Sequence, residues 1–115
     1  MKDKSYQFAL RIIKLNRYLN EQKEFVISRQ ILRSGTAVGA LIRESEFAQS
    51  RADFINKLHI ALKEANETSY WISLLKDSEY ITLSMYNSIK PEIDELVSLL
   101  VAIIKSCKTE KKDMK

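Results

Sequence analysis

The chain has 115 residues, enough for one hydrophobic core and too few for two. With 45% apolar and 30% charged residues it is neither disordered nor fibrous, and no run approaches the roughly 18 apolar residues of a membrane span. A net charge of +4 and a pI near 9.2 permit a nucleic-acid partner without requiring one, and the single cysteine, Cys107, excludes an internal disulfide.

The N-terminus, Met1-Lys2-Asp3-Lys4, runs into an amphipathic segment rather than an apolar leader, so a cytoplasmic protein is expected. Only Gly35, Gly39 and Pro91 interrupt helix propensity, and no alternating strand pattern is bounded by turn clusters, which predicts an all-α chain. Phe8, Ile12, Leu15 and Leu19 recur at steps of four, three and four and predict a first helix over 5–20. Ile27, Ile31, Ser34, Val38 and Leu41 repeat that spacing over 24–48, widened by Leu32, Gly35, Gly39 and Ile42. The third helix, 51–77, has the most regular stripe, from Phe54 and Leu58 to Ile72 and Leu75, and opens on Ser50 with Asp53 three residues on, a capping-box spacing. A fourth helix over 82–107, capped by Thr82, keeps Tyr86, Ile89, Ile93, Leu96, Leu100, Ile103 and Cys107 in phase. That phase is kept across Pro91, which predicts a kink and not a stop. A basic tail, 108–115, follows. Short links predict one domain: an up-down antiparallel four-helix bundle whose later helices are longer than the first, leaving part of a flank uncovered.

The chemical inventory is thin. One histidine, His59, on a polar stripe with Lys63, Asn66 and Tyr70, supplies no Glu-x-x-His pairs for a di-metal site. Two glycines form no phosphate-cradling loop, one cysteine forms no zinc cluster, and no Ser-His-Asp set is discernible. No enzyme activity, cofactor, metal or small-molecule substrate is expected. Glu64 and Glu67 share a stripe with Ile60 and Trp71; they are either solvated charges or a half-buried pair meeting Arg29 or Arg33 on the second helix, with a part in fold or assembly. The small-residue run around Gly35 and Gly39 sacrifices roughly 1 kcal/mol of helix propensity per glycine, which implies close helix packing inside the bundle or between subunits.

Arg33-Ser-Gly-Thr-Ala-Val-Gly-Ala40, Arg43-Glu44, Ala48-Gln-Ser50, Ala52-Asp-Phe-Ile-Asn-Lys-Leu58, Ile60-Ala-Leu-Lys-Glu-Ala65 and Glu67-Thr-Ser-Tyr-Trp71 together resemble the bacterial four-helix-bundle proteins encoded in intervening sequences of 23S ribosomal RNA genes. The resemblance spans about residues 5–106, and the Lys-Glu-Ala-x-Glu-Thr-x-Tyr-Trp stretch is its most specific part. It departs at Leu41, where asparagine is frequent, and at Ala37, where serine is common. The resemblance implies a homopentamer, as in the similar accessory proteins of diversity-generating retroelements, which act with nucleic acid and a reverse transcriptase. It implies a fold more firmly than a biochemical activity.

Two functions follow as expectations. The first is a non-enzymatic oligomeric module associated with RNA or a ribonucleoprotein, or with DNA or a nucleic-acid-handling protein, binding phosphate through Arg11, Lys14 and Arg17 on the first helix. The second is a protein interaction scaffold without a nucleic-acid role, anchored by Phe47, Tyr70 and Trp71.

Overall fold

Apolar residues at helical spacing must find a common interior, and four such stripes do so by lining one channel. The computed structural model describes residues 1–113, with side chains through 109. Its elements are α1 (Lys2–Glu21), α2 (Val26–Ser45), α3 (Arg51–Asp77) and α4 (Leu83–Asp113). Each helix packs on its sequence neighbours and α1 closes the square against α4, along the lightest of the four seams. The bundle measures 54 × 23 × 21 Å. Phe8, Ile12 and Leu19 from α1, Ile31 and Val38 from α2, Leu58, Ile72 and Leu75 from α3, and Ile93, Leu96 and Leu100 from α4 form its core.

The caps follow the sequence where it is explicit. Ser50 Oγ accepts from the Asp53 amide at 3.1 Å, and the Asp53 carboxylate reaches back to the Gln49 amide at 3.2 Å, one residue before the usual capping-box donor. Thr82 Oγ1 accepts from the Met85 amide at 3.1 Å. α4 is unbroken across Pro91.

Several boundaries differ from the sequence expectation. α1 begins at Lys2 because the Met1 carbonyl already accepts from the Ser5 amide at 3.0 Å. α2 stops at Ser45 and is as long as α1, 20 residues each. Beyond it the amides of Glu46, Phe47 and Ala48 bond three residues back, so the chain tightens into turns instead of continuing the helix to 48. α2 starts two residues later than expected because the buried Glu24 carboxylate caps it from outside, accepting from the Ser28 amide at 2.9 Å. Of the basic tail 108–115, residues 108–113 prolong α4, and Met114 and Lys115 lie outside the described residues.

α1 and α4 are unequal partners. Lys4 pairs with Glu95 and Arg11 with Ser88, so α4 runs on past the start of α1 and packs there on α3, where Arg51 donates to the Cys107 carbonyl at 3.1 Å. This corrects the core stripe: Ile104 is buried and Ile103 only partly. Ile103 lies eleven residues after Glu92, on the side of α4 that faces α1, and α1 has not yet begun at that level.

Candidate functional site

The small-residue run of α2 lies against α1. A Cβ on Gly35 would sit 2.8 and 2.9 Å from Ile12 Cγ1 and Cγ2, and one on Gly39 would sit 3.3 Å from the Ser5 carbonyl oxygen. The glycines therefore serve packing within the bundle. Nearby, polar groups are buried in satisfied sets that the apolar periodicity did not reveal. Thr68 Oγ1 lies 2.8 Å from both Ser34 Oγ and the Glu64 carbonyl oxygen, joining α2 to α3. Asn16 Nδ2 donates to the Ser28 carbonyl at 3.0 Å, and Ser28 Oγ donates to Asn20 Oδ1 at 3.0 Å, joining α1 to α2.

On the α2/α3 seam Arg33 meets both acids: Nη1 lies 3.1 Å from Glu64 Oε2, and Nη2 contacts Glu67 Oε2. The Glu64 side chain is only 15% exposed, so it is the more enclosed of the two. Trp71 Nε1 donates to Glu67 Oε2 at 3.3 Å, its indole packs on the core, and its ring meets Tyr70 edge-on with centroids 5.2 Å apart. Arg29 is exposed and does not join this cluster. Phe47 and Tyr70 stand in solvent at 78% and 58% exposure.

The three cations of α1 separate. Arg11 turns to α4, where it donates to the Ser88 carbonyl at 3.0 Å and to Ser88 Oγ at 2.8 Å and pairs with Glu92. Lys14 and Arg17 are exposed and have no ion-pair partner among the described residues. Arg11 and Lys14 border a groove of about 400 Å³ between α1 and α4, floored by Leu15, Ile81, Met85 and Ile89.

Elsewhere, ion pairs and backbone amides together hold more acids than bases. Lys2–Glu46, Lys4–Glu95, Arg11–Glu92, Lys57–Glu44, Lys76–Asp77 and Lys90–Asp94 bind surface carboxylates, and Glu24 and Asp53 are held by amides. Among residues 1–109 this leaves Asp3, Glu21 and Glu79 without a bonded partner. Against them, Lys14, Arg17, Lys23, Arg29, Arg43 and Lys63 remain unpaired along the rod, and Lys105 and Lys108 on the last turns of α4. His59 is exposed. Among the described residues no cluster of three or more His, Cys, Asp or Glu is placed to hold a metal, and no helix is long and apolar enough to cross a membrane.

Residues 1–102 match the family model for the 23S rRNA-intervening sequence protein. The crystal structure of a protein of unknown function from the S23 ribosomal protein family of Bacteroides thetaiotaomicron superposes with a TM-score of 0.89 at 65% identity, covering 90% of this chain and 97% of that one. No curated protein matches the sequence.

Proposed function

Since the chain belongs to the 23S rRNA-intervening sequence protein family, we propose that it is a cytoplasmic, non-enzymatic oligomeric module that associates with RNA or a ribonucleoprotein through unpaired surface cations. The observation that carries this reading is the imbalance left after ion pairing: Lys14, Arg17, Arg29, Arg43 and Lys63 have no carboxylate partner among the described residues, and little acidic surface opposes them. Phosphate is the multivalent anion that such dispersed cations suit, because each neutralised phosphate releases counterions. Arg11 contributes less than its sequence position suggested, since Glu92 already neutralises it. The assembly proposed is a homopentamer.

The test is light-scattering mass with RNA binding across a salt series on one preparation. The reading requires affinity that falls log-linearly with salt, with a slope of roughly −0.7 per phosphate contact for single strands. Salt-independent binding, or none at low salt, refutes it. A second reading, a protein interaction scaffold, is favoured by the exposure of Phe47 and Tyr70. It loses Trp71 as a free anchor, because the indole is committed to Glu67 and the core. A pentamer indifferent to RNA would support it.

A further inference from the structure

We propose that the outer groove between α1 and α2 is a platform for single-stranded RNA, in which Tyr6 stacks on an unpaired base and Arg43, Arg29 and Arg17 contact the flanking phosphates. This rests on the RNA-associated reading above and gives it a place and a substrate class.

Two stripes face each other across the groove. On α1, Tyr6, Ile13 and Arg17 are spaced by seven and four; on α2, Arg29, Thr36, Ala40 and Arg43 are spaced by seven, four and three. Those intervals keep each set on one side of its helix. The two sides meet in a cavity of about 240 Å³ lined by Tyr6, Ala9, Thr36, Gly39, Ala40 and Arg43. Its floor is made of small residues, so the Tyr6 ring, 62% exposed, rises beside an open shelf and is not packed under larger side chains. Lys2, Asp3 and Ser5 close the cavity at the α1 start, where Lys2 is neutralised by Glu46.

At the other end, Asn16 donates to the Ser28 carbonyl across the same seam, which brings the next residues, Arg17 and Arg29, to one level of the bundle. Arg29 lies fourteen residues before Arg43, a span of roughly 21 Å at the usual helical rise. Three cations without ion-pair partners among the described residues thus follow one line with an aromatic ring at its end, and Asp3 is the one carboxylate lining the cavity. A duplex hides its base faces, whereas an unpaired strand offers them for stacking on an aromatic ring beside a basic track. The outer face of α3 lacks this combination: Lys63 is its one unpaired cation among the described residues.

The experiment measures fluorescence anisotropy of a labelled 12-nucleotide single strand and of the matching duplex, with the full chain, across a salt series. Single strand should bind more tightly than duplex. Tyr6→Ala should weaken single-strand binding by roughly 5- to 150-fold, with Tyr6→Phe retaining it. The triple variant Arg17→Gln/Arg29→Gln/Arg43→Gln should flatten the salt slope by about 2, and Lys90→Gln, which removes an α4 cation already paired with Asp94, should leave affinity unchanged. Circular dichroism melts confirm that each variant is folded. Wild-type binding that survives all the groove substitutions overturns the proposal while leaving RNA association standing, as does equal affinity for duplex. A change in light-scattering mass on groove substitution also overturns it, by making the groove a subunit contact. Absence of wild-type RNA binding removes the RNA-associated reading itself.

Discussion

Replacing Gly35 by alanine sets helix propensity against packing. Propensity alone favours alanine by about 1 kcal/mol in a helix interior. At this position the new Cβ meets Ile12 Cγ1 at 2.8 Å, Cγ2 at 2.9 Å and Cδ1 at 3.2 Å. Ile12 is fully buried and β-branched, so its χ1 has little freedom to turn away, and the helices themselves must separate. Overpacking of this kind costs about 1–3 kcal/mol, which leaves Gly35→Ala destabilised by up to about 2 kcal/mol. Gly39→Ala meets only the Ser5 carbonyl at 3.3 Å, in the first turn of α1, and should fall within about 0.5 kcal/mol of wild type. Urea unfolding at one fixed protomer concentration measures both, because self-association would otherwise shift apparent stability. Ile12→Ala supplies the control, since it removes every side-chain atom beyond Cβ. In that background Gly35→Ala should become stabilising by about 1 kcal/mol, a coupling of about 1–3 kcal/mol. If Gly35→Ala stabilises the wild type and the Ile12→Ala protein alike, the close approach of α1 and α2 has been misread.

Four further substitutions probe single contacts. Glu24→Ala removes the acceptor for the Ser28 amide and should cost about 1–2 kcal/mol in urea unfolding; an unchanged midpoint would show that water replaces the carboxylate. Thr68→Val keeps the shape but leaves Ser34 without its partner in the core, at a cost of about 1–3 kcal/mol; a neutral result, with Thr68→Val/Ser34→Ala no different, would deny the pair any structural weight. Glu64→Gln breaks the ion pair to a half-exposed Arg33, so after solvent screening it should cost only about 0.5–1 kcal/mol. Stability and light-scattering mass both equal to wild type would remove any role of this cluster in fold or assembly. Glu79→Gly relieves a φ of 66° and should raise the melting temperature through up to about 1 kcal/mol of added stability; a lower melting temperature would mean that the added freedom of the unfolded chain outweighs the relief.

The two turns at one end of the bundle show where sequence reading stopped. α1 and α3 both end in Schellman geometry: Glu24 N bonds Leu19 O at 2.9 Å, Tyr80 N bonds Leu75 O at 2.9 Å, and Lys23 and Glu79 take positive φ. Glycine is the usual signal for such an end, and both places lack it, so the links were legible only as interruptions of the apolar stripe. Ser50 and Thr82 were legible as caps because their hydroxyls act within three residues. Glu24 was not, since an acid four residues before its amide partner looks like any solvated charge.

The sequence by itself determined the four helices, their antiparallel order and most of the buried face, because helical periodicity is local: residues such as Phe8, Ile12, Leu15 and Leu19 share a side whatever they later pack against. The tertiary structure decided how much of each face is covered and which charges remain free. Ile104 displaced Ile103 from the core because α1 begins where it does. Arg11 was bound and Arg17 left open because Ser88 and Glu92 stand 77 and 81 positions along the chain from Arg11, on a helix that passes one side of α1 and not the other. An ion pair depends on the distance between two charges in space, and no local pattern in either segment records that distance.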